Sequence, residues 1–261
     1  MGAFESSRPE GVQFSVSTTN TTPFVAEADG VVEGVAMSIS FGRTAWIGSV
    51  VVSPERRRQG MGTAVTERAV EFACQRADTV LLLALEPARR IYERMGFVDD
   101  GTYGTWIQPS TSALHQESVR RPSSRKGIPL RKLDSCLRLD RVATGEDRHA
   151  YLERGAPSMR FSMVDDGSDS ACLAGYSAQF EWGSGPIIAR DAEAGDSLVR
   201  ELLDQNPRAR IEFPDANEAG QALMADLGLT RVDDDYRMRL GPPVPGFCPQ
   251  YIFKVLTPAV G

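Results

Sequence analysis

The stretch Val50-Val51-Val52-Ser53-Pro54-Glu55-Arg56-Arg57-Arg58-Gln59-Gly60-Met61-Gly62-Thr63-Ala64 decides how this chain folds. A β-branched run predicts a strand ending at the turn of Pro54. Three arginines and two glycines follow, and then a helix over Met61–Arg76 with Ala64, Val65, Ala69, Phe72 and Ala73 on one face. Glycine lets backbone N–H groups approach an anion closely, and the first turn of a helix adds unpaired donors and a partial positive charge. This order of parts suits a pyrophosphate. It is not a P-loop, because no Gly-Lys-Ser/Thr follows, and it lacks the GxGxxG of a dinucleotide fold.

Working outward, Phe24–Ala28 reads as a strand closed by the hairpin dipeptide Asp29-Gly30. Val31–Phe41, Thr44–Val52, Thr79–Leu85 and Val98–Ile107 read as further strands. Ala88–Met95 is a short helix stopped by Gly96. Thr44–Val52 and Thr79–Leu85 are expected to be a parallel pair joined by the Met61–Arg76 helix.

Two motifs, in order, carry a family resemblance. Arg57-x-x-Gly60-x-Gly62 resembles the Q/R-x-x-G-x-G/A signature of the GNAT N-acetyltransferase superfamily, and Ala88-Arg-Arg-Ile91-Tyr92-Glu93-Arg94-Met95-Gly96-Phe97 resembles its second signature. The resemblance covers residues 24–108 and implies an acetyl-CoA site. Val51 and Val52 would pair with the pantetheine arm, and the N–H groups of Arg57, Arg58, Gln59, Gly60, Met61, Gly62 and Thr63 would hold the pyrophosphate. Tyr92 resembles the family's general acid. Leu85 stands where many members carry an Asn that touches the cofactor. Glu27, Glu33 and Glu86 are candidates for the base only by proximity along the chain. Cys74, inside a predicted helix, is no nucleophile candidate.

The second half repeats the first. Phe24 to Gly30 lines up with Phe161 to Gly167, and Gly48-Ser-Val-Val lines up with Gly185-Pro-Ile-Ile at the same offset. Gly62 lines up with Gly195, and Gly96-Phe97 with Gly228-Leu229, at shorter offsets, so residues are missing just before Gly195. Tyr92 falls on Met224, and Arg190-Asp-Ala-Glu-Ala-Gly195 keeps one glycine beside Asp191 and Glu193. Carboxylates there repel an anion, and Gly195→Ala is expected to leave CoA binding unchanged. The Leu198, Val199, Leu202 and Leu203 stripe reads as core, Phe213 to Asn217 as a loop and Gln250–Leu256 as a last strand.

The fold class expected is therefore α/β. Two GNAT-like domains, each a mixed, mostly antiparallel sheet flanked by helices, occupy residues 1–108 and 129–261, with a Ser-, Pro- and Arg-rich linker over 109–128. The first is expected to lack the family's opening strand and helices, and the second to be a degenerate copy. Composition narrows the function. Of 261 residues 41% are hydrophobic and 25% charged, a globular balance, and no apolar run approaches the ~18 residues of a bilayer span. The net charge of −6 opposes non-specific nucleic-acid binding. Four scattered cysteines and two histidines leave no metal site, and fit reduced thiols in the cytoplasm. The resulting expectation is a cytoplasmic acyl-CoA-dependent N-acyltransferase, monomer or homodimer. It would move acetyl from acetyl-CoA to a primary amine of a small molecule or peptide by direct attack in a ternary complex. A non-catalytic acyl-CoA sensor is the alternative.

Overall fold

The computed structural model describes residues 9–109, 123–167 and 172–257. The chain forms two compact units. Among the described residues the first comprises 9–100 and 236–244, and the second takes 101–235 and 245–257. Both β5 and β11, defined below, thus begin in one unit and end in the other.

The first unit opens with helix α1 (Pro9–Val16), then β1 (Thr21–Ala28), β2 (Val31–Phe41), β3 (Thr44–Val52), α2 (Met61–Cys74), β4 (Thr79–Leu85), α3 (Arg89–Arg94) and β5 (Val98–Ile107). Helix α1 corrects the expectation that no helix precedes the first strand. Asp29 and Gly30 both have positive φ (55° and 78°), the backbone a tight two-residue hairpin needs. Strands β1 and β2 pair antiparallel, as do β2 and β3. Strands β3 and β4 pair parallel, Thr44 to Thr79, Ala45 to Val80 and Trp46 to Leu81, as expected. Beyond β4 the sheet continues with the end of a strand from late in the sequence, β11 (Thr230–Leu240).

Helix α2 lays Val65, Ala69, Val70 and Ala73 on Ala36, Ala45, Ile47, Val80 and Leu82 of the sheet, with Phe97 and Met238 closing the cluster. Fully burying an aliphatic side chain is worth roughly 1.5–3 kcal/mol, so this face fixes the helix on the sheet. The expected face is corrected at two positions. Ala64 is exposed, and Phe72 is half-buried against Phe24 with Arg76 stacked 3.6 Å from its ring centre.

The second unit contains β6 (Ser123–Lys126), α4 (Leu130–Thr144), α5 (His149–Gly155), β7 (Met159–Asp165), β8 (Leu173–Phe180), β9 (Ile187–Ala189), α6 (Ala192–Gln205), β10 (Ile211–Pro214), α7 (Glu218–Asp226) and β12 (Ile252–Lys254). Strand β6 falls in the expected linker and pairs antiparallel with β7; most of the rest of that linker lies outside the described residues. The expected loop at Phe213 to Asn217 is corrected at its start, where Phe213 and Pro214 end β10; Asp215 and Ala216 form a turn that leads to Asn217, the N-cap of α7. The stripe Leu198, Val199, Leu202 and Leu203 is buried in one core cluster with Phe213, Met224 and Phe253.

The sheet order here is β12-β9-β8-β7-β6. The last strand, shorter than expected, pairs antiparallel with β9, and Val255 N–H donates to the Glu212 carbonyl of β10 at 2.8 Å. The chain's own β12 thus fills the gap between β9 and β10. Their counterparts β3 and β4 pair directly. Gly195 is packed tightly as a result: a Cβ there would lie 2.4 Å from ring carbons of Phe253, so an alanine at this position bears on stability as well as on the expectation about CoA.

Candidate functional site

The site forms in the first unit where β3 and β4 part. Their ladder stops at Trp46 and Leu81, while β3 runs on to Val52, still paired with β2 on its other side. One edge of Ile47–Val52 therefore has no strand beside it among the described residues. The last four residues of β3 are half-buried where the first five are buried. Between Val35/Met37 of β2 and Gly48/Val51 of β3 the register slips by one residue. Ser49 absorbs the slip at φ 51°, a β-bulge. A left-handed non-glycine residue is strained, and such strain clusters where a backbone group must be re-aimed. Sequence reasoning missed this bulge; the Gly48-Ser49 pair within a β-branched run was its only signal.

Past Val52 the chain is pinned before it reaches the glycines. Ser53 N–H donates to the Glu33 carbonyl at 2.8 Å, and its hydroxyl donates to the Glu33 carboxylate. Arg56 adds contacts to Glu33 at 3.3 Å and Asp29 at 3.2 Å. The Ser53 hydrogen bond and the Arg56 guanidinium hold the Glu33 carboxyl below the usual range, so Glu33 braces the loop and makes a poor base. Arg57 Nε donates to the Val52 carbonyl at 3.1 Å. Pro54–Arg56 is a 3-10 turn, after which Arg58 (φ 60°) and Gly60 (φ 83°) both take the left-handed region. Alternation of this kind turns successive N–H groups toward one concavity.

Helix α2 starts at Gly60, which has no side chain to cap it; the first intrahelical bond is Ala64 N–H to the Gly60 carbonyl at 3.0 Å. The donors of Met61, Gly62 and Thr63 therefore remain for an outside acceptor. A Cβ on Gly62 would sit 3.3 Å from Val52 Cγ2, so the first turn of α2 lies directly against the end of β3. The Arg57 hydrogen bond and the close approach of Gly62 thus bring the loop and the first turn of α2 against Val52 at the end of β3. The residues fit a diphosphate followed by an extended amide chain: unpaired donors and guanidinium groups at the helix start, a free strand edge beside it.

Tyr92 sits on α3 and packs on the same core as Val50, its ring edge-on to Phe97 at 6.1 Å. Burial pushes its phenol above the usual value, so it keeps its proton at neutral pH. No hydrogen bond of its hydroxyl is present among the described residues. Glu86 is tied to Arg89 at 3.2 Å and to Tyr236, and is held low for that reason. Glu27 lies exposed on β1. Cys74 is exposed at the end of α2, its thiol raised by desolvation, which keeps it from acting as a nucleophile.

A cleft of about 260 Å³ lies elsewhere, in the second unit, among Arg190, Asp191, Asn217, Tyr251 and Phe253. Both helix starts facing it are capped from within, by Asp191 and Asn217. Its volume therefore does not mark the chemistry. Among the described residues no three His, Cys, Asp or Glu side chains gather as a metal site, and no helix is long and apolar enough to cross a membrane.

Residues 19–99 and again 136–250 match models of the acetyltransferase (GNAT) domain. The chain belongs to the GNAT acetyltransferases and carries two such domains in tandem. No curated protein matches its sequence. A putative acetyltransferase from Pyrococcus horikoshii superposes with a TM-score of 0.80 at 20% identity, over 96% of this chain and 84% of that one. A tandem GNAT protein of the clavulanic acid biosynthesis pathway gives 0.51 at 18%, over 87% and 86%. A GCN5-related N-acetyltransferase from Sphaerobacter thermophilus gives 0.55 at 16%, over 83% and 79%. At these identities the likeness concerns the fold.

Proposed function

We propose that the first repeat moves the acetyl group of acetyl-CoA to a primary amine of a small molecule or peptide, within one ternary complex in the cytoplasm. The observation that carries this reading is the uncapped start of α2 set against the free edge of β3. Acetyl-CoA supplies a thioester whose carbonyl carbon accepts the amine and whose sulfur leaves. The chain's residues do the rest. The N–H groups of Met61, Gly62 and Thr63, with Arg57, Arg58 and Gln59 of the loop, hold the diphosphate. Backbone groups of Val51 and Val52 align the pantetheine amides as an added strand. Donors on the bulged strand edge face the place where negative charge develops on the carbonyl oxygen. Tyr92, kept protonated by burial, gives its proton to the departing sulfur, while the acylated nitrogen sheds one proton to solvent and the tyrosine recovers one from it.

Labelled acetyl-CoA with a panel of amines tests this. Wild-type protein should release CoA and label an amine. Tyr92→Phe should cut kcat by roughly 10²-fold or more, as loss of a general acid does, while CoA affinity by calorimetry stays put. CoA binding with no turnover across the panel would instead favour a sensor.

A further inference from the structure

We propose that Tyr236, at the point where β11 enters the first unit, is a positioning residue for Tyr92. The late strand would then supply part of the machinery of the first repeat. Helix α3 has six residues, under two turns, and its N-cap Ala88 offers no side-chain acceptor. A helix this short does not hold itself, because nucleation costs more than so few hydrogen bonds return. At its far end the Met95 and Phe97 N–H groups both reach the Tyr92 carbonyl, at 3.0 and 3.1 Å. The near end is held by side chains. Arg89 reaches Glu86 at 3.2 Å and Asp99 at 2.6 Å. Its Nε is buried without a hydrogen bond among the described residues, and the guanidinium lies 4.2 Å from the ring centre of Tyr236. The same Tyr236 bonds through its hydroxyl to the Glu86 carboxylate.

One side chain therefore grips both ends of the turn that leads into α3, by its ring under Arg89 and by its hydroxyl on Glu86. Tyr92 is three residues after Arg89, on the same helix face. It packs on the same core cluster as Tyr236, Met95 and Leu240. Fixing Arg89 thus fixes the first turn of the helix that carries Tyr92. Strand β11 is itself fixed in this unit: buried Arg237 and half-buried Arg239 both pair with Asp100, and the Thr79 hydroxyl donates to the Pro242 carbonyl at 2.8 Å. A stacked cation and a hydrogen-bonded phenol on a rigid strand are means of holding a proton donor within a fraction of an ångström.

The kinetic arm of the test rests on the acyltransferase reading; an exchange arm does not. In Tyr236→Leu, amide hydrogen exchange over Arg89–Gly96 should quicken about tenfold while exchange in α2 stays unchanged. Its kcat should fall about tenfold or more, with the KM for acetyl-CoA and the calorimetric Kd of CoA within about twofold, because misplacing a reacting group costs rate and not cofactor affinity. Tyr236→Phe keeps the ring and should recover most of both losses. Should Tyr236→Leu fail to fold, Arg89→Met removes the stacked cation together with its pairs to Glu86 and Asp99 and should give the same pattern, whereas Asp99→Asn, which leaves the stack in place, should not. Unchanged exchange over Arg89–Gly96 overturns the proposal, and so does equal loss of kcat and CoA affinity. If the wild type binds CoA but acylates no amine, the acyltransferase reading fails while the exchange result still decides the role of Tyr236.

Discussion

The two repeats each run a strand into a helix start, and they finish that helix start in opposite ways. In the first, Gly60 leaves the donors of α2 uncapped, and β3 parts from β4 after Trp46. In the second, the Asp191 carboxylate accepts from Ala194 N–H at 2.8 Å, and β12 lies between β9 and β10. Ser49 bulges β3, whereas β8 and β9 pair without a slip. Tyr92 is half-buried on α3, while its counterpart Met224 is fully buried. What the first repeat leaves open to a ligand, the second fills with its own atoms.

The sharpest contrast lies between two glycines. Gly195 is enclosed: a methyl group would stand 2.4 Å from the Phe253 ring. Gly60 is open, with nothing within 4 Å of its Cβ position, but its φ of 83° suits few L side chains. Gly195→Ala should therefore destabilise the protein by about 1–3 kcal/mol, the cost of overpacking a filled core, and leave CoA affinity of the folded protein untouched. Gly60→Val should cost about 1–2 kcal/mol of urea stability through left-handed strain, and should also abolish CoA binding, because a bulky side chain blocks the approach of the anion to the backbone N–H groups. Urea titration and calorimetry on both variants check the pair. CoA affinity retained in Gly60→Val, or lost in folded Gly195→Ala, would erase the distinction.

A second asymmetry is in ionisation. The filled gap of the second unit buries Glu212, whose Oε1 has no hydrogen-bond partner among the described residues, beside Asp235 and Lys254. Lys254 Nζ donates to the carbonyls of Gly183 (3.2 Å) and Gly185 (2.7 Å). Desolvation, then the Asp235 charge, push Glu212 up to about 8; desolvation brings Lys254 down to about 8 and lifts Asp235 to about 6. A carboxyl raised on folding binds more protons in the native state than in the unfolded one. Its contribution is full below the unfolded pKa near 4.5 and is lost as pH rises to about 8. The lowered Lys254 acts with the opposite sign, above pH 8. Urea stability of the wild type should thus fall between pH 5 and 8, by at most about 1.4 kcal/mol per pH unit for one proton. Glu212→Gln should flatten that fall. An unaltered slope in the variant would remove Glu212 as its cause.

Much of this contrast was legible beforehand, and the reason is local. Val31–Phe41, Thr44–Val52, Thr79–Leu85 and Val98–Ile107 have the bounds their patterns predict, because period, turn glycines and β-branching act within a few residues. The glycine loop and its helix start were legible for the same reason. What escaped was long-range. Nothing near Thr230 says that its strand ends beside β4, since the repeat alignment matches it to β5. Nothing near Phe253 says that it lies on Gly195, 58 residues earlier in the chain. The buried Arg148–Asp140 pair, at 2.6 Å and joined by Tyr176, likewise unites three elements that no motif connects. The roles of Glu33 and Glu86 needed their partners: each carboxylate looked available until Ser53, Arg56, Arg89 and Tyr236 were placed around it.

The smallest effect separates the two devices that close the second repeat. Asp191 caps α6 with a negative charge where the first repeat has bare donors, and β12 occupies the strand edge beside it. Asp191→Ala removes only the first device. Loss of an aspartate cap costs about 1 kcal/mol of stability. It also frees the Ala194 donor and removes one charge hostile to an anion. Yet Phe253 still covers Gly195 and β12 still pairs with β9, so no extended chain can lie along that edge. Calorimetry on Asp191→Ala should therefore give one CoA per chain with the wild-type Kd, despite a lower urea midpoint. Binding of a second equivalent would show that the cap's charge, and not the strand, keeps the second repeat closed.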